Sequence, residues 1–208
     1  MLLPLFYFAP ISYFSVLVNN KTEEYLFETQ ENFEKQTYRN RCYIYGANGK
    51  LALSVPVQHQ NISRKYKDTK ISYDFNWKKQ HIKSLESAYR SSPFFEYYED
   101  SLQEIFDQNE TFLLDLNLKI LTWILEKLQI KTEIGLTSNY TISTNDTSDF
   151  RHQFGAKTQT AFELTHSETL PNYIQVFGES HGFIRNLSIL DLLFNCGPNS
   201  KEKLTTNL

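Results

Sequence analysis

The chain opens on an unbroken apolar run, residues 2–8, closed by Ala9-Pro10. A short run without polar alternation predicts a strand covered on both faces. Ser12 is placed to cap a short apolar stretch ending at Val18, and residues 24–28 read as a second strand. Strand, short helix, strand is the connection pattern of a parallel sheet. The clearest local pattern follows. Residues 42–45 and 51–57 flank Gly46-Ala47-Asn48-Gly49-Lys50, and Asn48-Gly49 is suited to the positive φ angles of a tight hairpin turn. Leu51, Leu53, Val55 and Val57 alternate onto one face. Pro56 lacks a ladder N–H and so marks a sheet edge.

Residues 58–68 are polar and basic and predict a loop, with a further short strand at 70–73. From Trp77 to Leu128 the periodicity is helical, with a new segment opened by Pro93. Its strongest part is 110–128, where Asp115, Lys119, Thr122 and Glu126 form one narrow polar stripe. So wide an apolar arc on the remaining surface implies burial on several sides. Residues 134–165 predict loops with short strands, 172–177 a strand, 178–182 a turn and 187–195 a last helix ended by Gly197-Pro198. The resulting class is α/β: a mixed, partly parallel sheet opening with a βαβ unit, a β-hairpin at about 42–57 and a long buried helix at about 110–128. One domain is expected over 1–198, followed by a polar tail, 199–208, expected to fray.

Composition narrows the function classes. At 208 residues, 40% hydrophobic and 22% charged, the chain can bury a substantial single core. A net charge of −3 argues against nucleic acid as a partner. The apolar start has no basic segment before it and no small-residue cleavage site. It turns polar at Asn19-Asn20, too soon to span a bilayer, so a cytoplasmic location without a membrane span is expected. Cys42 and Cys196 are far apart and match no metal-ligand spacing, which suits reduced thiols. The five histidines form no helical pair, and phosphate-binding glycine loops, nucleophile elbows and zinc-protease motifs are absent from the sequence. Neither metal nor cofactor is expected.

Four polar groupings remain as candidates for chemistry, the third of them within a polar segment. Arg39 and Arg41, separated by Asn40 and preceded by Tyr38, would project from one side if the strand begins there. Two guanidiniums so placed could hold a phosphate or carboxylate, or could be solvated or ion-paired. Trp77, His81, Ser84 and Ala88 follow helical spacing, so His81 is a candidate general base or a structural histidine. Asp149 and Arg151, two apart, suit a local ion pair or a ligand contact. Ser188, Asp191 and Asn195 share one face of the last helix. There Ser188 and Asp191 fit a capping box, whereas Asn195 is left over for a pocket wall. The 13 Tyr and 16 Phe add a partly polar aromatic interior.

These groupings, in this order, resemble the WbqC-like family of bacterial proteins over nearly the whole chain, most closely its short Bacteroidota members. The matching stretches are Tyr7-Phe8-Ala9-Pro10-Ile11-Ser12-Tyr13-Phe14, Gln36-Thr37-Tyr38-Arg39-Asn40-Arg41-Cys42-Tyr43-Ile44 and residues 49–57. The likeness continues through Trp77 with His81, residues 84–98, Gly182-Phe183-Ile184 and residues 187–195. The resemblance implies a link to surface polysaccharide (O-antigen) gene clusters and a possible glycine or amino-acid transferase. Joined to the residue reading, it gives a cytoplasmic transferase whose partner is a small molecule: a sugar nucleotide, or an acyl or aminoacyl donor. In that reading Arg39 and Arg41 neutralise the donor, His81 or Asp191 takes a proton, and Tyr7 and Tyr38 orient the substrate. Asn40, Trp77, Ser188 and Asn195 line the site. The alternative is a non-catalytic binding or scaffold protein of envelope biogenesis, with Phe94, Phe95, Tyr97 and Tyr98 as an exposed apolar patch.

Overall fold

A computed structural model describes residues 1–20, 24–58, 65–140, 149–157, 160 and 169–205. The βαβ opening is present as β1 (Leu2–Pro4), α1 (Ile11–Asn19) and β2 (Glu24–Glu28), with Leu2 beside Leu26 in parallel register. The predicted first strand is cut short. The chain leaves the sheet after Pro4, and Phe8 takes a φ of 39°, yet Leu5 through Ala9 stay buried. The apolar run therefore encoded burial rather than ladder pairing. Pro10, not Ser12, occupies the N-cap of α1. The Ser12 amide is instead held by Asn186 Oδ1 at 2.9 Å, from the far end of the chain.

The hairpin is β3 (Arg41–Gly46) with β4 (Gly49–Ser54), paired from Arg41–Ser54 to Gly46–Gly49. Its two turn residues are Ala47 and Asn48, and only Gly49, at φ 98°, is left-handed. The turn thus puts its glycine after the two central residues, the fourth position of an ordinary type I turn, rather than at the centre of a primed turn. Beyond Ser54 the predicted strand survives only as an isolated bridge between Val57 and Ile71, which is also all that forms of the strand expected at 70–73, apart from a bridge of Lys70 to Phe112.

Three helices follow: α2 (Trp77–Tyr89), α3 (Phe95–Asp107) and α4 (Leu113–Lys127). In α4 the predicted wide arc is buried, with Leu113, Leu116, Ile120, Leu121, Trp123, Ile124 and Leu125 all in the core. β5 (Glu133–Leu136) then joins β2 in parallel, giving a three-stranded sheet ordered β1-β2-β5. The expected α/β architecture is therefore present: partly parallel sheet, antiparallel hairpin and long buried helix.

The strand expected at 172–177 is not formed. A strand needs a neighbour's ladder, and here side chains hold the segment, with Ile174 90% exposed and Gln175 buried. The turn that follows is a single helical turn, α5 (Gly178–His181), and the last long helix is α6 (Ile189–Cys196). The polar tail does not fray at once. It forms α7 (Ser200–Leu204), with Ser200 and Leu204 fully buried and the Leu204 carbonyl accepting from Asn19 Nδ2 at 2.9 Å. Residues 206–208 lie outside the described residues, as do much of the loop predicted after Gln58 and most of 141–168. Among the described residues no helix is long and apolar enough to cross a membrane.

Candidate functional site

α2 begins with Trp77 and carries His81 one turn later, so both rings face inward, where the chain leaving β1 delivers Tyr7. The Tyr7 hydroxyl lies 2.8 Å from His81 Nδ1, and the Trp77 and Phe106 rings meet the imidazole edge-on at 5.1 and 6.3 Å. Burial pushes the His81 pKa down to about 4, with hydrogen bonding to the Ser54 backbone pulling the other way. An acceptor at Ser54 favours a ring N–H there, which leaves Nδ1 to receive the Tyr7 proton. The imidazole is neutral at pH 7. The Trp77 Nε1–H is buried and unpartnered.

Asp191 makes a second centre. Ser188 caps α6 as expected: its Oγ accepts from the Leu190 amide at 3.3 Å and donates to the Phe8 carbonyl at 2.9 Å. The other half of the capping box is absent, because the Ser188 amide is spent on the Tyr43 carbonyl at 2.8 Å. The Asp191 carboxylate turns inward instead and accepts three bonds, from Tyr89 at 2.8 Å, Tyr173 at 2.5 Å and Gln175 Nε2 at 2.8 Å. Desolvation raises its pKa while the three donors oppose the rise. Asn195 is also accounted for, donating to the Asp191 carbonyl one turn back at 2.7 Å.

The arginine segment divides. Arg39 precedes β3, so strand alternation does not place it beside Arg41. It is buried in an ion pair with Glu31, 5.8 Å over the Tyr66 ring, and Asn117 holds its carbonyl at 2.7 Å. Tyr38 packs between Phe6 and Tyr43 at 5.7 and 6.2 Å, and its carbonyl accepts the Tyr7 amide at 2.9 Å. Asn40 Nδ2 donates to the Val55 carbonyl at 2.9 Å. Arg41 opens β3 opposite Ser54, half-buried. Arg39 Nε, Asn40 Oδ1 and Arg41 Nε are all buried without a hydrogen-bond partner. Unsatisfied buried atoms on three successive residues are unusual in a folded chain.

The structure thus unites Tyr7, Trp77 and His81, and unites Asp191 with Asn195 and Ser188 on α6. Among the described residues no hydrogen bond joins His81 to Asp191. His81 and Tyr89, which holds Asp191, are eight positions apart on α2, about 12 Å at helical rise. The aromatic patch is not formed either, since Phe95 and Tyr98 are buried and only Tyr97 is widely exposed.

Sequence reasoning missed a third centre at the carboxyl ends of the parallel strands. Glu28, fully buried, ends β2 and accepts from the Gln30 amide at 2.7 Å and Thr137 Oγ1 at 2.9 Å. Its other oxygen meets Arg151 Nη1 at 3.2 Å, and Arg151 also engages the Asp149 carboxylate, as the spacing of those two residues allowed. A glutamate closing an apolar strand was the available signal. Among the described residues no group of three His, Cys, Asp or Glu side chains is gathered as metal ligands.

Comparison with known proteins identifies relatives of the chain. The model of the WbqC-like protein family matches residues 6–161 and 150–203. The chain is also 26% identical over 205 residues to the uncharacterized protein Rv1507c of Mycobacterium tuberculosis, covering 88% of this chain and 87% of that protein. No solved structure matches it.

Proposed function

The chain belongs to the WbqC-like protein family, and on that footing we propose that it is a cytoplasmic transferase of surface-polysaccharide or cell-envelope biosynthesis, acting on an activated sugar or on an acyl or aminoacyl donor. The observation that carries the reading is the run of unsatisfied buried atoms at Arg39, Asn40 and Arg41. Two guanidinium N–H groups and one amide oxygen, desolvated on successive residues, suit a small ligand with a phosphate or carboxylate and a donor of its own. Arg41, without an ion-pair partner within 4.0 Å among the described residues, engages the donor's anionic group. Arg39, locked to Glu31, positions the segment, and Tyr38 orients the ligand beside it.

Of the two proton acceptors, His81 is the better supported. It is neutral and shares a hydrogen bond with Tyr7, whereas three donors already occupy the Asp191 oxygens. Trp77 packs against His81, while Ser188, Asp191 and Asn195 brace α6 through their own bonds. A second reading, a non-catalytic binding protein, is favoured by the closed bonding of His81 and Asp191. Donor turnover separates the two readings.

The test is a thermal-shift screen of the full chain against nucleotide sugars and acyl and aminoacyl donors. A true donor at about a hundredfold excess over its Kd stabilises the fold by roughly 2–3 kcal/mol. Arg41→Ala, at a half-buried position, folds and loses the shift. A wild-type protein indifferent to every donor, or an Arg41→Ala protein that responds like the wild type, overturns the proposal.

A further inference from the structure

A cleft of about 490 Å³ runs between the tip of the hairpin and α2. Its apolar side is made by Gly46, Ala47, Leu51 and Ala88, and its polar side by Asn76, Lys79, Gln80, Lys83, Ser84 and Ser87. The volume is that of a small-molecule site, and no acidic residue lines it. Leu51 pairs with Ile44 and Arg41 with Ser54, so strand alternation puts Leu51 and Arg41 on opposite faces of the hairpin. The cleft therefore lies on the other face of the hairpin from Arg41.

The charges on α2 do not follow from the helix's own needs. Lys79 and Lys83 are one turn apart on one face, a like-charge spacing that weakens a helix by a few tenths of a kcal/mol. Lys79 also lies in the first turn, near the positive end of the dipole, and that turn holds no acidic residue to offset it. Neither has a carboxylate within 4.0 Å among the described residues, although Glu86 and Asp107 border a second cleft that both lysines also line. Those two acids are engaged elsewhere: Glu86 faces Arg90 at 3.9 Å, and Asp107 accepts from Gln103 Nε2 at 2.8 Å. The neighbouring Lys78 is different again, because its ammonium is spent on the Gln108 carbonyl and Asn109 Oδ1. Two cations that the helix disfavours thus border a cleft with an apolar wall.

We propose that this cleft binds a phosphate-bearing small molecule with a planar or apolar body. Lys79 and Lys83 meet the phosphate as point charges, and a dianion there offsets both their mutual repulsion and the dipole. Ser84, Ser87 and Gln80 supply hydroxyl and amide partners. The body of the ligand covers Leu51, which is 40% exposed. Gly46 keeps the floor low, since a Cβ there would lie 3.2 Å from Leu51 Cβ.

The test is site-resolved. Uridine diphosphate and inorganic pyrophosphate are titrated into the isotope-labelled full chain, following the backbone amides of Gly46, Ala47, Ser84 and Ser87 by NMR. Uridine diphosphate is expected to move these signals and to bind about tenfold or more tighter than pyrophosphate. The double variant Lys79→Ala/Lys83→Ala changes only exposed side chains and keeps its fold, and it is expected to lose about tenfold or more in affinity. Lys79→Arg/Lys83→Arg retains the binding, as does Arg41→Ala, so failure here is distinguishable from failure of the transferase reading. Unmoved cleft amides, equal affinity for the two probes, or wild-type binding by the double alanine variant each overturn the proposal.

Discussion

Asp191 receives the Tyr89 hydroxyl at 2.8 Å and so fastens α6 to the end of α2 across 102 positions of sequence. The same carboxylate holds Tyr173 and Gln175, and Gln175 in turn grips both the amide and the carbonyl of Ile184. A segment without a ladder is thereby held by one buried acid. Asp191→Asn places an NH₂ where at least one donor pointed, and charged hydrogen bonds in such sites contribute about 1.5–3 kcal/mol. The expected result is a loss of that order in urea unfolding, with faster amide exchange through 173–184 than elsewhere. Unchanged exchange there would remove Asp191 from the role.

The burial of His81 gives a pH dependence. With its folded pKa lowered to about 4 from an ordinary value of about 6.5, His81 binds a proton more readily in the unfolded chain. Its contribution is fully present above about pH 6.5 and is lost as pH falls towards 4, up to about 3 kcal/mol in all. Unfolding measured from pH 7.5 down to 4.5 should show this slope, and His81→Gln should flatten it. A His81→Gln protein with the wild-type slope would assign the dependence to other groups.

Arg39 and Glu31 form an ion pair with only 6% and 8% of the side chains exposed. Removing one partner leaves the other charge buried, so Arg39→Ala is expected to cost about 3–5 kcal/mol. The double change Arg39→Met/Glu31→Leu is expected to recover most of that loss, and a double-mutant cycle by chemical denaturation measures the coupling.

Gly197 ends α6 at φ 55°, and a Cβ there would fall 2.4 Å from the Phe94 ring. Gly197→Ala meets both backbone strain and a packed aromatic, so a loss of about 2 kcal/mol or more is expected. Thermal unfolding checks this, with Gly49→Ala as the comparison: Gly49 has a similar backbone constraint at φ 98° but nothing within 4 Å of its Cβ position.

The parts of the fold legible in the chain were those set by neighbours in sequence. The periodicity over 110–128 predicted a long buried helix, which forms at Leu113–Lys127, and residues 24–28 gave a strand at their stated bounds. The hairpin followed from Asn48-Gly49, although the positive φ fell only on Gly49. Ser188 as a helix cap was equally local. The segment 172–177 misled because strand-favouring residues such as Tyr173, Ile174 and Val176 report a local preference, not whether a neighbouring strand exists to complete the ladder.

The candidate site was legible only as a set of residue types. Composition and spacing determined that Tyr7, Arg39, His81 and Asp191 stand on segments destined for burial, because hydrophobic pattern acts through the chain's own geometry. Tertiary structure alone decided which partner each found: Glu31 for Arg39, Tyr7 for His81, and two tyrosines and a glutamine for Asp191. A buried polar group takes whatever donor or acceptor the packed elements bring within about 3 Å, and sequence distance carries no information about that meeting. Tertiary packing likewise brought Lys79 and Lys83 of α2 to the border of a cleft beside the hairpin tip.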